Sequence, residues 1–218
     1  MKKEDKSMER SKMYEGLKRH IVDSTAILSV ANPIFSALET MVIGMSNEIS
    51  INAKIVGSIS AFSGLGSLIA KGRDISRGLF GIDEKTSEKK QGLHDALYNA
   101  IINLAIAPLT YLASGERNFK KIAIGTAIAA GTGIVSGWPI GYSIDAFRDL
   151  TGISPSERLP NLVKKQKPRT KLGLAALITA LSIGAMATIY TLNPHKYENK
   201  VEDNKPKIEQ TYFLDKNS

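Results

Sequence analysis

The stretch that decides the fold covers residues 122–150 and reads IAIGTAIAAGTGIVSGWPIGYSIDAFRDL. Residues 122–144 carry no charge, and Asp145, Arg148 and Asp149 then follow at helical spacing. A helix needs about 20 apolar residues to cross a bilayer. An apolar stretch of this length that ends in ordered charges predicts a membrane helix that reaches water near its C-terminal end.

The charges of the whole chain are segregated in the same way. Its 218 residues include 29 Lys and Arg and 21 Asp and Glu, and the mean hydropathy of −0.09 alone is typical of a soluble protein. Five apolar stretches nevertheless hold only one charged residue, Glu39, away from their ends. A soluble amphipathic helix would carry a charge every few residues on its wet face. The pattern therefore predicts an all-α, integral membrane helical bundle.

The five apolar stretches cover residues 22–45, 53–70, 95–114, 122–146 and 172–193. The chain accordingly divides into an N-terminal segment (1–21), a first two-helix repeat (22–75), a basic link (76–94), a second two-helix repeat (95–150), a second basic link (151–171), a fifth transmembrane helix (172–193) and a polar tail (194–218). The second stretch is the shortest, because Lys54 limits it.

The Lys and Arg residues predict the topology. The N-terminus and the links after the second and fourth stretches contain 7, 6 and 7 of them, whereas the links after the first and third contain none and three. Cytoplasmic loops carry the excess of Lys and Arg in membrane proteins. We therefore expect a multi-pass protein of the plasma (cytoplasmic) membrane, with a cytoplasmic N-terminus, two cytoplasmic basic links and an external C-terminal tail.

The first four stretches are predicted to form an internal repeat, with a chance match of short motifs as the alternative. Each pair opens with an aspartate, Asp23 or Asp95, and reaches a glycine about six helical turns later, Gly44 or Gly115. Each pair closes with an Arg-Asp-aliphatic motif, which is 73–75 in the first repeat and 148–150 in the second. Because each unit has two helices, the units are parallel and related by an axis along the membrane normal.

Small residues at four-residue steps predict close helix packing. They are Ala129, Gly133, Gly137 and Gly141 in the fourth stretch, with Gly57/Ala61, Ser60/Gly64 and Ala176, Ala180, Gly184 elsewhere. Such residues let helix backbones approach each other in membranes, either within the chain or across a dimer.

Glu39 is the first candidate functional residue. Ionisable residues inside membranes usually face a cavity or a partner and often relay protons. The alternative is that Glu39 lies at the outer headgroup level. Asn32 and Pro33 form a second candidate, since proline frees a backbone carbonyl that can bind a small solute, or simply kinks the helix. Asn103 has the same alternatives in the third stretch, and Trp138 either lines the pathway or packs between helices.

Charged residues at the helix ends form a candidate proton-coupling site or gate. Asp23 and Asp95 are candidate proton carriers, with helix N-capping as the alternative. Asp145 and Arg148, together with Arg73, are expected to form ion pairs that break when the protein opens, or else to anchor helix ends at the interface.

Other classes of function lack their motifs. The chain has no Cys, its three His are far apart, and no nucleotide-binding or catalytic motif is present. We therefore expect no enzyme activity, no metal and no cofactor. The net charge of +8 fits membrane orientation better than nucleic-acid binding, because it lies in the links.

Several motifs resemble the bacterial L-alanine exporter family (AlaE). The motif 23–26 (Asp-Ser-Thr-Ala), together with Glu39 and 44–46 (Gly-Met-Ser), resembles that family's opening helix. Asp95 and the segment 138–148, with Trp-Pro-x-Gly followed by Tyr-x-x-Asp-x-x-Arg, are similar to other parts of it. In the family a similar Trp-Pro-x-Gly closes the second helix, whereas here it closes the fourth. The resemblance covers about residues 20–150 and implies a four-helix exporter of L-alanine, exchanged for protons.

Our first hypothesis is therefore a secondary active exporter of a small neutral amino acid by proton antiport. Its solute would bind between the repeats near Asn32, Pro33 and Glu39, and its other partners would be protons and membrane lipid. Four or five helices enclose little volume, so we expect a homodimer. The alternatives are a non-transporting membrane scaffold or assembly factor that acts through its basic loops, and a soluble helical bundle.

Overall fold

The computed structural model describes residues 2–193 and is all-α in that range. The predicted external tail, 194–218, lies outside the described residues. The α-helices are α1 (Lys2–Ala37), α2 (Asn47–Ser60), α3 (Gly66–Leu79), α4 (Glu88–Ala113), α5 (Phe119–Leu150), α6 (Asn161–Lys164) and α7 (Pro168–Leu192). Two π-helical turns, Leu38–Val42 and Ala61–Leu65, continue α1 and connect α2 to α3.

Five continuous helical stretches are long and apolar enough to cross a membrane. They are Glu9–Val42, Asn47–Leu79, Glu88–Ala113, Phe119–Leu150 and Pro168–Leu192. The predicted all-α bundle of five membrane-length helices is therefore confirmed.

The helices begin earlier than the apolar stretches do. Asp23 and Asp95 lie inside α1 and α4, so the N-cap interpretation of both residues was wrong. The charged segment before Asp23 continues the helix because Lys, Glu, Met and Arg are good helix formers. The second span begins at Ser46, whose side chain accepts a hydrogen bond from the Ile49 N–H. Lys54 consequently lies two turns inside this span rather than at its start.

The two hairpins end in matching turns. Gly44 and Gly115 both adopt positive φ in the turns at one end, where Ser46 and Asn118 N-cap the returning helices. We call this end outer and the opposite end inner, after the predicted topology. At the inner ends, Gly81 and Gly152 adopt positive φ, a conformation that glycine adopts without steric cost.

The inner turns also correct the register of the repeat. The N–H of Ile82 donates to the Arg77 carbonyl, and the N–H of Ile153 donates to the Arg148 carbonyl, both at 2.8 Å. Arg77, rather than Arg73, is therefore the counterpart of Arg148. The motif Asp-x-x-Arg, 74–77 and 145–148, is the true repeat. The Arg-Asp motif recurs one helical turn away from its true counterpart, so matching the two copies of it puts the repeats out of register.

The second hairpin packs through the glycines of α5. A Cβ added at Gly133 would meet the Ala100 backbone, and one at Gly137 would meet the backbone of Asp95 and Ala96. One at Gly141 would meet the Asp95 carboxylate. The ladder of small residues thus packs within the chain and brings α4 against α5.

The first hairpin is interrupted instead. Gly64, at φ +126°, breaks the helix inside the π-turn Ala61–Leu65. Two side chains of α1 bind carbonyls of this turn: the Ser24 hydroxyl donates to Ala61, and His20 Nε2 lies 2.7 Å from the oxygen of Phe62. Buried backbone carbonyls need such partners inside a membrane.

α7 and the preceding link complete the bundle. α7 packs along α1, and the Tyr190 hydroxyl lies 2.9 Å from the Ser36 hydroxyl. The link between α5 and α6 folds back over the inner end, where Leu159 is buried against the core that includes Phe147 and Leu150. The fold therefore closes the inner end with a strap made of residues 151–160.

Candidate functional site

Arg148 joins the inner ends of the two repeats. Its Nε and Nη2 donate to the two carboxylate oxygens of Asp23 in α1, at 2.7 and 2.9 Å. Its Nη1 donates to the carboxylate of Asp74 in α3, at 3.0 and 3.2 Å. The Arg148 and Asp23 side chains are only 5% and 1% exposed. Arg148 of the second repeat is thus held by two carboxylates of the first.

Arg77 makes the reciprocal contacts. Its Nε and Nη2 donate to the two carboxylate oxygens of Asp95, at 3.0 and 2.5 Å, and its Nη1 donates to Asp145 at 3.3 Å. Each arginine therefore binds two aspartates of the other repeat. One is the aspartate that opens the other repeat, and the second is the first residue of that repeat's Asp-x-x-Arg motif. Bidentate arginine–carboxylate pairs fix geometry as well as charge. The two hairpins are cross-linked by equivalent, exchanged ion pairs.

Arg73 strengthens one side of this arrangement. It donates to Asp95 at 3.0 Å, to Asp145 at 2.7 Å and to the Gly141 carbonyl at 3.1 Å. In the corrected register its counterpart is Ile144, so Arg73 breaks the symmetry. Asp145, Arg148 and Arg73 lie in one cluster of ion pairs.

Arg158 enters the cluster from the strap. Its Nη1 donates to Asp145 at 2.8 Å, its Nε donates to Glu88 at 2.9 Å, and its guanidinium lies 5.4 Å from the Tyr142 ring centroid. Burial lowers the pKa of Arg158, but the hydrogen bonds to Glu88 and Asp145 outweigh this and raise it. Arg158 therefore stays charged and ties the strap to α4 and α5.

These residues form one continuous inner network, because Asp74 also binds Arg19 at 3.0 Å and lies 3.6 Å from Arg73. The inner network consists of five arginines and five acids: Arg19, Arg73, Arg77, Arg148, Arg158, Asp23, Asp74, Asp95, Asp145 and Glu88. Equal numbers of opposite charges reduce the cost of burying them.

The inner network borders a polar cavity. The cavity holds about 280 Å³, and Arg19, Arg77, Asp145, Arg148 and Arg158 are among its lining residues. Its walls carry both signs of charge, and its position at the strap leaves it on the predicted cytoplasmic side.

A second cluster lies toward the outer ends of the helices. Glu39 is 16 residues after Asp23 in a continuous helix, about 24 Å along its axis. Lys54 Nζ lies 2.6 Å from Glu39 Oε1, and the two residues are 8% and 2% exposed. Glu39 is therefore not an isolated carboxylate; it forms a buried ion pair, which we call the outer pair.

Hydroxyl groups from three helices surround the outer pair. The Ser50 hydroxyl donates to Glu39 Oε2 at 2.5 Å and also lies 3.1 Å from the Tyr190 hydroxyl. Tyr111 of α4 faces Glu39 as well. Glu39 itself belongs to the π-turn Leu38–Val42, and such turns are frequent at functional sites.

The structure does not bring the predicted substrate-binding residues together. Asn32 and Pro33 lie in α1, which continues as an α-helix to Ala37. Asn103 donates to the Ala129 carbonyl at 3.0 Å and thus bonds two packed helices.

Trp138 lies at the other end of the bundle from the outer pair. Its Nε1 donates to Glu88, at the N-terminus of α4, and its ring packs on Gly92. Of the predicted substrate-binding residues, only Glu39 therefore belongs to the outer pair.

Sequence reasoning missed Lys54, Arg77 and Arg158 as site residues. The Ser46 N-cap was the available signal for Lys54, since a helix that begins there contains it. The gapless match of the two Asp-x-x-Arg motifs was the signal for Arg77. Arg158 had no signal, because it lies in a link whose folding back depends on tertiary contacts.

Within residues 2–193, no group of three or more His, Cys, Asp or Glu is placed to hold a metal ion. No protein-family model, curated protein or solved structure matches the chain.

Proposed function

We propose that the protein is a secondary active exporter of a small neutral amino acid, with L-alanine as the first candidate. It exchanges the amino acid for protons across the cytoplasmic membrane. The observation that carries this proposal is the presence of two buried charged clusters in one bundle of membrane-length helices, the inner network and the outer pair. Buried ionisable groups of this kind mark substrate and ion pathways in membrane proteins.

The inner network acts as the cytoplasmic gate. Its exchanged pairs, Arg148–Asp23 and Arg77–Asp95, hold the two repeats together at one end. Rocking of parallel repeats against each other is a common route to alternating access. Because these cross-links are ion pairs rather than apolar contacts, water that enters a parting gate can solvate both partners.

Glu39 is the proton-coupling group. It is a buried carboxylate near the outer end of α1, and the inner network lies about 24 Å away along that helix. A proton that arrives from outside reaches Glu39 without crossing the inner network. This arrangement supports inward proton movement coupled to outward movement of solute.

A homodimer completes the proposal. Ala176, Ala180 and Gly184 of α7 are all exposed on the outside of the bundle. Such small residues allow close approach of a helix from a second copy. A disulfide between two copies of the Ala180→Cys variant, formed in native membranes, tests this arrangement, and the chain offers no competing Cys.

The test of the proposed function is labelled L-alanine efflux from proteoliposomes with an acidic exterior. We expect Glu39→Gln to remove the dependence of efflux on the pH gradient, because the amide cannot carry the proton. Glu48→Gln is the matched control, since Glu48 is exposed near the same end of the bundle. If both variants behave like the wild type, Glu39 has no part in proton coupling.

The alternative of a membrane scaffold rests on three exposed cations. Lys165, Lys167 and Arg169 lie in or beside the link before α7, where anionic lipids or partners can reach them. Changing all three to Gln leaves the inner network intact. The scaffold proposal expects this triple variant to lose activity in cells, whereas the exporter proposal expects L-alanine efflux to persist.

A further inference from the structure

The outer pair is an unusual feature to keep for stability alone. Buried ion pairs cost several kcal/mol in desolvation per ion, and replacing them with apolar residues is often neutral or stabilising. Glu39 and Lys54 nevertheless lie in direct contact, and both are almost fully buried.

The polar groups around the outer pair can adapt to a change of partner. Hydroxyls both donate and accept hydrogen bonds. Ser50 contacts Glu39 and Tyr190, and Tyr190 contacts Ser36, so these hydroxyls form a chain across α1, α2 and α7. A ligand that separates Glu39 from Lys54 therefore meets hydroxyl groups on the Glu39 side of the pair.

We propose that Glu39 and Lys54 form a two-point binding site for the charged groups of a zwitterionic amino acid. The ammonium group of the ligand takes the place of Lys54 on the Glu39 carboxylate, and the ligand's carboxylate binds the Lys54 ammonium. This inference rests on the proposed function and assigns its substrate site to residues of the first hairpin.

The charges favour a zwitterion over a singly charged ligand. Binding a zwitterion breaks one ion pair and forms two, and the site remains neutral overall. A lone amine or a lone carboxylate would leave one buried charge unpaired, which costs several kcal/mol. The site therefore discriminates against amino-acid derivatives that lack either charge.

The surroundings also limit the size of the side chain. Met45 and Tyr111, 0% and 3% exposed, pack with Ile122 in the outer apolar cluster. The Tyr111 hydroxyl faces the Glu39 carboxylate, which places this cluster next to the outer pair. A small aliphatic or hydroxyl side chain fits beside these groups with the least repacking.

The site also explains antiport through competition. The titratable groups that face Glu39 are Lys54 from α2, Tyr111 from α4 and Tyr190 from α7. A proton and the ammonium group of the ligand both require the Glu39 carboxylate, so they bind in alternation. The protonated site carries one more positive charge than the ligand-bound site, and each exchange therefore moves one charge inward.

The experiment is calorimetric titration of the full chain in detergent with glycine, L-alanine and L-serine, then with L-alaninamide and propionate. We expect at least one of the three amino acids to bind. L-Alaninamide, which lacks the carboxylate, and propionate, which lacks the ammonium group, should each bind at least tenfold more weakly. Lys54→Met should weaken amino-acid binding at least tenfold, and Lys164→Met, at a partly exposed position bonded to Glu157, should leave it unchanged.

A charge-exchanged variant, Glu39→Lys with Lys54→Glu, guards against misfolding because it keeps the ion pair. We expect it to bind an amino acid more tightly than Lys54→Met does. Equal binding of L-alaninamide, wild-type affinity in Lys54→Met, or no amino-acid binding by the wild type overturns the inference. Binding without efflux in proteoliposomes refutes the exporter instead, so the two failures are distinguishable.

Discussion

The exchanged ion pair between Asp23 and Arg148 gives the sharpest prediction about the fold. In the Asp23→Asn variant the bidentate contact loses its charge, and Arg148 keeps only Asp74, whose side chain is 33% exposed. Removing one partner of a buried pair costs about 3–5 kcal/mol. Since Arg148 retains one carboxylate, we expect a loss near the lower end, about 3 kcal/mol, or roughly a hundredfold in the unfolding equilibrium.

The measurement is the free energy of unfolding in mixed micelles, titrated with SDS. The Asp23→Asn, Arg148→Gln and double variants form a cycle, and contacting charges in such cycles couple by about 0.5–3 kcal/mol. Glu157→Gln is the control, because its pair with Lys164 is exposed and is expected to contribute less than about 1 kcal/mol.

The same unfolding assay also tests the equivalent ion pair of the other repeat. The Arg77–Asp95 pair occupies the equivalent place in the other repeat, but Asp95 also binds Arg73 and Arg158, so Arg77→Gln should destabilise the protein less than Arg148→Gln does. The reasoning is refuted if Asp23→Asn has the same free energy of unfolding as the Glu157→Gln control. It is also refuted if the losses caused by Asp23→Asn and Arg148→Gln simply add in the double variant.

Three other predictions concern packing, the strap and coupling. Gly137→Ala should cost about 1–3 kcal/mol by overpacking against α4, whereas Gly131→Ala, which faces open space, should not destabilise the protein. Arg158→Gln should release the strap, because it removes the ion pair with Asp145. A cysteine at position 154, beside the inner cavity, should then react with a thiol reagent faster in the Arg158→Gln, Ser154→Cys double variant than in Ser154→Cys alone. An inside-negative potential of 100 mV should add about 2.3 kcal/mol per charge, roughly a 50-fold larger L-alanine gradient at equilibrium; an unchanged gradient contradicts inward charge movement.

The helices could be predicted from the sequence because the signal is compositional. Each apolar stretch is long enough to cross a membrane, and the links and the two termini hold nearly all the charges. Helix ends were less predictable, since charged residues continue a helix as well as apolar ones do. Asp23 illustrates this point. The local sequence around it is compatible with a helix N-cap and with a helix interior, and its actual partner, Arg148, is 125 residues away in the sequence.

The partners of the charged residues could not be predicted. Arg77 and Arg148 each bind aspartates of the other repeat, and this exchange depends on how the hairpins sit against each other. No periodicity within one hairpin carries that information. For Lys54 the reason is different: apolar composition alone predicts that the span starts at residue 53, whereas the helix begins at the Ser46 cap.

The central claim is that this bundle exports a small neutral amino acid in exchange for protons. The most direct measurement is efflux of labelled glycine, L-alanine and L-serine from proteoliposomes that contain the wild-type protein, after the exterior is acidified. We predict efflux of at least one of them that accelerates with the pH gradient and slows when a protonophore collapses it. Efflux no faster than from protein-free liposomes, at every pH gradient, would contradict the claim.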